Sequence, residues 1–355
     1  MSPVSPVFPM SPMPPVPTVP RSVNGPVVTE PAVLVVRALA DGRSRDRDAL
    51  ARECGVDGAV LDEALGRLDD LGVAVLAEQG AISLPKRLDL LEAERIRRAV
   101  PRLGAEAVHV RFAVDSTNSF LAERLRAGAA APELCAAEIQ TAGKGRQGRR
   151  WISGLGQSLV LSVSWRFAAP ADGLGLSGLS LAVGVALVEA LAAGGFDGVM
   201  LKWPNDLVVD DRKLAGILVE VSRFGSGSAA CVVGVGFNLH LTPTDSGRID
   251  QPWTDFATVF ARVPARSTLA SQAANALLDA CEQFRDHGLE PFAARWCERD
   301  ALHDRAVRVL WGGAPIDGTA RGIDPDGALL VEHSEGVVRC ESGEVSVRVR
   351  RRDHR

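Results

Sequence analysis

Residues 202–220 read Lys-Trp-Pro-Asn-Asp-Leu-Val-Val-Asp-Asp-Arg-Lys-Leu-Ala-Gly-Ile-Leu-Val-Glu. Pro204 ends a strand over 199–203, because proline lacks the N–H that a sheet ladder needs. Asn205 and Asp206 place polar groups at the turn, and Asp210-Asp211 joins strands at 207–209 and 215–221 as a hairpin. Strand alternation lets Lys202 and Lys213 approach one site from neighbouring strands. Outward from this hairpin, Leu159, Leu161, Val163 and Trp165 alternate with smaller or polar residues, and 108–112 and 231–235 read as further strands. Asp115-Ser116-Thr117-Asn118 is a helix start followed by apolar Phe120, Leu121 and Leu125. A long amphipathic helix carries Leu269, Ala273, Leu277, Cys281 and Phe284 and stops at His287-Gly288. The middle of the chain is therefore an α/β unit around a mixed sheet.

The flanks differ. Helical patterns at 32–39, 47–53 and 58–71, then strands at 73–76 and 82–84 about the turn Glu78-Gln79-Gly80, follow the order of a winged helix-turn-helix. Between Arg45 and Leu84 stand four basic and nine acidic residues, a net of −5. Asp57, Asp62, Glu63, Asp69 and Asp70 fall on or beside the third helix, which should repel a duplex, since each phosphate contact depends on a cation. DNA reading and a packing or regulatory role both stay open for this unit. After residue 306, short strands broken by Gly312-Gly313, Asp324-Pro325-Asp326-Gly327, Glu335-Gly336 and Ser342-Gly343 suggest a small β-barrel. The first 31 residues hold ten of the 21 prolines and read as a disordered extension.

The 355 residues suffice for two or three cores, and a net charge of −4 announces no bulk attraction to nucleic acid. The most apolar stretch, 174–193, is interrupted by Ser177, Gly178, Ser180, Gly184 and Glu189 and reads as a buried helix rather than a membrane span. Six cysteines without a CxxC pair or a histidine at ligand spacing argue against zinc and against a disulfide framework, and fit a reducing cytoplasm.

Lysine is scarce: four of 40 basic residues, of which Lys144, Lys202 and Lys213 share one seventy-residue stretch and Lys86 lies apart. A chain this rich in arginine keeps lysine where a compact charge is wanted rather than a planar fork. Residues 140–151, Gln-Thr-Ala-Gly-Lys-Gly-Arg-Gln-Gly-Arg-Arg-Trp, interleave glycines with cations. Such a loop bends close to a ligand and offers charge to phosphate or carboxylate, and Trp151 offers a flat ring for a base. Its spacing is neither a Walker loop nor a dinucleotide turn. Gly234-Val235-Gly236-Phe237-Asn238 puts glycines inside a strand, as close approach of a ligand or tight packing would require.

The 140–151 loop closely resembles the GRGRxGRxW loop of biotin protein ligases, and Lys-Trp-Pro-Asn-Asp and Arg-Lys-Leu-Ala-Gly-Ile-Leu-Val-Glu resemble that family's other hallmarks. Asp-Ser-Thr-Asn at 115–118 and Gly-Val-Gly-Phe-Asn at 234–238 match as well. The likeness runs from about residue 32 to the C-terminus. It implies an α+β chain of four parts: the extension (1–31), a winged helix-turn-helix (32–88), a central mixed-sheet α/β catalytic domain of class II synthetase and biotin ligase type (89–303), and an SH3-like β-barrel (304–355). It implies ATP-dependent formation of biotinyl-5′-AMP with Mg²⁺, then transfer to one lysine of the biotin carboxyl carrier domain of acetyl-CoA carboxylase. The bifunctional members also repress the biotin operon and pair as homodimers.

By position, the resemblance implies that Ser116, Thr117, Asn118 and Gln140 surround the biotin head group. Lys144, Gly145 and Arg146 form the loop that covers biotin, and Lys213 meets its carboxylate and the α-phosphate. Trp151 packs on the adenine, with Arg149, Asn205, Asp206 and Asn238 as further nucleotide contacts. Lys213, Arg146 and Lys202 carry the catalytic charge, and no residue is assigned to a metal. Lys144 stands where arginine is usual, which leaves the charge in place. Two rivals accompany this reading: a lipoate-type ligase on the same scaffold, and a non-enzymatic DNA-binding regulator that senses a small molecule.

Overall fold

The computed structural model describes residues 29–168, 176–224, 228–247, 249, 251–310, 315–341 and 346–349. Most of the expected extension, 1–28, lies outside them, as do the turns at 312–313 and 342–343 and the first two residues of the apolar stretch at 174–193. The end of the expected extension is helical instead. Helix α1 (Glu30–Leu39) takes Pro31 into its first turn, where a missing N–H breaks no helical hydrogen bond.

Strand β1 (Arg45–Asp46) and helices α2 (Arg47–Cys54) and α3 (Gly58–Asp70) follow. Asp46 caps α2 through the N–H groups of Asp48 and Ala49, and Asp57 caps α3 through Val60, so short polar side chains fix both starts. Leu39, Leu50, Leu61 and Leu68 are fully buried in the core of this unit. The strand expected at 73–76 is displaced: β2 is Leu76–Glu78 and β3 is Ala81–Ser83. Gly72, at φ +70°, closes α3 in a left-handed turn, and Val73 N donates to Leu68 O at 2.9 Å. That helix end claims Val73 as its buried apolar contact, so pairing begins three residues later. The three strands order as β1-β3-β2, giving the winged arrangement.

Past α4 (Ala93–Ala99), the chain builds a seven-stranded sheet in the order β4-β5-β6-β10-β9-β8-β7. Its strands are β4 (Val108–Val114), β5 (Leu134–Gln140), β6 (Ser158–Ala168), β7 (Met200–Lys202), β8 (Asp206–Val209), β9 (Arg212–Phe224) and β10 (Ser228–Asn238). Only β4 and β5 run parallel, because α5 (Thr117–Arg126) crosses between them. The apolar stretch becomes α6 (Leu179–Ala193). After the short α7 (Pro243–Ser246) and α8 (Phe256–Phe260) comes the amphipathic α9 (Arg266–His287), then α10 (Glu290–Glu298). Helices α6 and α9 pack over one face of the sheet, burying Leu187, Leu191, Leu277 and Phe284 with Leu161 and Val163. The opposite face is left for α5 and the site. Among the described residues no helix is long and apolar enough to cross a membrane.

The expected small barrel is a five-stranded antiparallel sheet, β14-β13-β12-β11-β15, from β11 (Ala306–Leu310), β12 (Ile316–Ile323), β13 (Leu329–His333), β14 (Gly336–Cys340) and β15 (Ser346–Val349). Trp203, 2% exposed, donates from Nε1 to Gly327 O at 3.0 Å and joins this sheet to the central unit. A second joint ties the segment that follows the N-terminal unit to the sheet. There the buried Arg266 guanidinium meets the Glu138 carboxylate and also donates to Asp89 O (2.9 Å) and Ser158 O (3.1 Å), while Glu138 accepts from Leu91 N (2.5 Å). Removing one partner of so enclosed a pair strands a charge, at a cost of about 3–5 kcal/mol.

The joint to the small sheet carries a less satisfied carboxyl. Leu201 N donates to Arg299 O (2.7 Å) and Ala301 N to Leu201 O (2.8 Å), which fixes Asp300 between them at 7% exposure. Its Oδ1 accepts from Leu302 N (2.8 Å), but its Oδ2 has no hydrogen-bond partner. Burial pushes the carboxyl from an ordinary 3.8 up to about 6, against the opposing Leu302 hydrogen bond. Because the folded value exceeds the unfolded one, this contribution to stability is complete below about pH 4 and is lost as pH rises through about 6. Asp300→Asn keeps an acceptor for Leu302 and removes the charge. It is expected to stabilise the protein by roughly 2–3 kcal/mol at pH 8 and little at pH 4, read by chemical denaturation. A gain of the same size at both pH values would refute the burial penalty.

Candidate functional site

Three glycines open a trough in the middle of the sheet. Gly216 on β9 and Gly236 on β10 are cross-strand partners, and Gly234, two residues along, pairs with Ser162 on β6. A Cβ at 236 would overlap the Trp151 indole, and one at 234 would overlap Asn118 Oδ1. At 216 it would sit 2.9 Å from Lys213 Nζ and 3.1 Å from Trp151 Cζ3. The missing side chains let an aromatic ring and a helix start descend onto the strands.

Above the trough lies an open cleft of about 300 Å³ counted out into its solvent mouth. Ser116, Thr117, Asn118, Gln140, Lys144 and Trp151 line it, with Val160 and Leu218 among its apolar walls. The first four come together because α5 starts where β4 ends and Gln140 closes the parallel neighbour β5. Thr117 N donates to Gln140 Oε1 (2.8 Å), so a side chain from the next strand satisfies the first helical N–H. Ser116, at the N-cap position, makes no capping bond with its hydroxyl.

The basic segment is a closed hairpin. Trp151 N donates to Gly143 O (2.9 Å), Gly145 N to Arg149 O (2.7 Å), and Lys144 bridges Arg150. Lys144 reaches Glu220 across the cleft, with Nζ 3.4 Å from Oε1. Arg146 turns inward and donates to Asn205 Oδ1 (3.2 Å), while Asn205 Nδ2 is anchored on Ile217 O (2.6 Å). Arg149 is exposed and donates to Gln147, so its side chain lies on the outer side of the hairpin.

Beside the cleft, cations gather around one carboxylate. Lys213 Nζ lies 2.7 Å from Asp206 Oδ1, with both side chains under a fifth exposed, and 5.6 Å from the centre of the Trp151 ring. Burial pushes the Lys202 ammonium below its usual range, opposed first by Asp206. The Arg146 guanidinium is likewise lowered by burial, with Asp206 opposing and Arg149 adding to the shift. Asp206 thus faces Lys213 directly and acts on Lys202 and Arg146, two partly desolvated cations, with Asp211 also acting on Lys202. An anion entering here would be attracted by this gathering of cations, whereas a neutral ligand would not.

Asn238 lies beneath this cluster. Its Nδ2 donates to Lys213 O (3.2 Å) and Thr254 O (3.1 Å), so it holds the Lys213 main chain. Sequence reading missed Ser162, Glu220 and the segment 252–254, which flanks Lys213 through Pro252 O and Thr254 N. Glu220 ends the quoted hairpin stretch and carried a signal; Ser162 looked like any small polar residue on a strand.

The profile of the biotin/lipoate A/B protein ligase family matches residues 110–238, and that of the biotin protein ligase C-terminal domain matches 302–348. The chain is 37% identical over 325 residues to the bifunctional ligase/repressor BirA of Salmonella typhimurium, covering 90% of this chain and 98% of that protein. With the biotin--[acetyl-CoA-carboxylase] ligase of Mycobacterium tuberculosis it shares 34% identity, over 65% of this chain and 85% of that one. A solved structure of the Aquifex aeolicus biotin protein ligase in complex with biotin and ATP superposes with a TM-score of 0.58 at 25% identity, over 68% of this chain and 99% of that one. The trough, the capped cleft and the cation cluster all fall within the matched regions, and the chain belongs to the biotin/lipoate A/B protein ligase family, among its biotin protein ligases.

Proposed function

We propose that the cleft holds biotin with its head group at the α5 start, and that its carboxylate and the ATP phosphates meet over Lys213, Lys202 and Arg146. The observation that carries this is the gathering of Lys213, Lys202 and Arg146 around Asp206, the last two partly desolvated, beside a cleft whose closed end is polar and whose walls are apolar. A biotin carboxylate oxygen attacks the α-phosphorus, the bond to the β-phosphate oxygen breaks, and pyrophosphate leaves. Lys213 and its neighbours stabilise the crowded negative charge of that step. The amine of a carrier lysine then attacks the acyl carbon and expels AMP. Trp151, resting on Gly216 and Gly236, offers its ring to the adenine, and Asn238 acts by holding Lys213.

Mg²⁺ belongs to this reading as an ion carried by the nucleotide. Asp206 is already engaged by Lys213, and among the described residues no group of three or more His, Cys, Asp or Glu could hold a metal. Such a site suits an ion that prefers phosphate oxygens and water to a protein cage, and it would supply neutralisation of the departing pyrophosphate. The carrier is a carboxylase domain, and the division 32–88, 89–303 and 304–355 separates a winged unit, a catalytic unit and a small sheet.

Operator binding by the winged unit is not supported by its charges. Arg45 is paired with Asp41 (2.8 Å) and Glu53 (2.9 Å), Arg47 with Asp62 (2.6 Å), and Arg67 with Asp70 (3.6 Å). The exposed side of α3 offers acidic Asp62, Glu63, Asp69 and Asp70 instead.

Incubation with biotin, ATP, Mg²⁺ and a carboxylase carrier domain should add one biotinyl group to the carrier by intact mass, and lipoate in place of biotin should add nothing. Absence of pyrophosphate in the biotin reaction would sink the reading. Lys213→Ala is expected to lower the adenylation rate at least about 100-fold, near 3 kcal/mol of transition-state stabilisation, in a pyrophosphate-release assay; near-normal turnover would remove Lys213 from the mechanism. Gly236→Ala should lift Trp151 off the sheet and raise the KM for ATP about tenfold or more while the KM for biotin changes less. Equal changes in both would point to collapse of the sheet rather than loss of the ring's seat.

A further inference from the structure

The closed end of the cleft contains a chain of hydrogen bonds whose direction is set from one end. Glu220 Oε2 accepts from Asn118 Nδ2 at 2.8 Å, and Leu218 O accepts from the same group at 3.3 Å. An ionised carboxylate only accepts, so the donor end of the Asn118 amide must face it. Asn118 Oδ1 then faces Ser162 Oγ at 2.6 Å, on the floor of the trough. Ser162 is fully buried and has one hydroxyl hydrogen, which this acceptor claims. Its remaining lone pair, 2.7 Å from Thr117 Oγ1, takes the threonine hydrogen. That leaves no hydrogen for the contact between Thr117 Oγ1 and Gln140 Oε1, which stands off at 3.2 Å as two facing acceptors would.

The outcome at the cleft is asymmetric. With Gln140 Oε1 fixed by Thr117 N, its Nε2 is turned toward Gly143 and has no hydrogen-bond partner among the described residues. The Ser116 hydroxyl is likewise unpaired, and Thr117 Oγ1 keeps a lone pair. The wall therefore presents donors from Gln140 and Ser116 and an acceptor from Thr117. We propose that Glu220 and Ser162 are positioning residues that fix this donor and acceptor pattern, and so make the site selective for a head group that both accepts and donates, a cyclic urea, over a dithiolane, which does neither. This rests on the ligase reading above and names what selects its acid. Glu220 also pairs with Lys144, but both side chains are more than a third exposed, so solvent screens that charge and the acceptor oxygen matters more.

Steady-state adenylation and calorimetric biotin binding on the full chain test the idea. In Glu220→Ala and Ser162→Ala the KM for biotin should rise about tenfold or more, with kcat and the KM for ATP within about threefold, the pattern of a lost ground-state contact. Desthiobiotin, which keeps the urea, should lose affinity in parallel. Glu220→Gln, which still accepts through its amide oxygen, should recover most of the loss. Unchanged biotin KM in both alanine variants overturns the proposal, as does Glu220→Gln behaving like Glu220→Ala, which would assign the effect to charge. Should Glu220→Ala fail to fold, Ser162→Ala removes a single oxygen and decides the question. A wild-type protein that releases no pyrophosphate with biotin would overturn the ligase reading itself. Normal wild-type turnover with unaltered variants overturns only the polarity relay.

Discussion

The site depends on the absence of three side chains. Strands β9 and β10 lie side by side near the centre of the sheet, where every other position on the opposite face is filled against α6 and α9. Any Cβ at 234 or 236 would occupy the space taken by Asn118 or Trp151. Glycine there costs strand stability through its extra freedom when unfolded, a cost offset by the broad packing of the other face. The trough brings a helix start, an indole and a lysine within reach of one ligand without bending the strands.

Two kinds of buried charge coexist in this molecule and behave oppositely. Arg266 and Glu138 bond to each other and to main-chain groups, leaving only the Arg266 Nε without a partner, and tie the chain entering the catalytic unit to β5, β6 and α9. Such an enclosed pair holds parts in register. Around Asp206 several cations gather instead: Lys213 pairs with it, and burial lowers Lys202 and Arg146 beside it. The first arrangement is a closed structural tie, whereas the second is a concentration of partly desolvated positive charge of the kind found at functional sites.

The winged unit shows the same physics at the surface. Three of its arginines are held by its own acids, Arg45 by Asp41 and Glu53, Arg47 by Asp62 and Arg67 by Asp70, and the outer side of α3 is acidic. Exposed pairs of this sort add little stability. Their consequence is electrostatic, because an arginine held by an acid is less able to replace counterions on a nucleic-acid backbone. The architecture shared with ligase/repressor relatives and the charge on it therefore point in different directions.

Sequence alone determined the elements and the chemistry-bearing segments, because both are local. Alternation marked the strands, helical periodicity marked the helices, and the glycine-rich loop stood out by its interleaved cations. Lysine scarcity singled out residues 144, 202 and 213. It misplaced one strand, since the C-cap of α3 captured Val73, and it let the extension run into α1. Tertiary structure alone decided which motif residues meet: Arg149 faces outward, Asn238 works from below, and Ser162 and Glu220 complete a relay from strands far apart in the chain. Hydrogen-bond direction, desolvation and the space denied to a Cβ belong to the assembled neighbourhood, and no stretch of sequence carries them by itself.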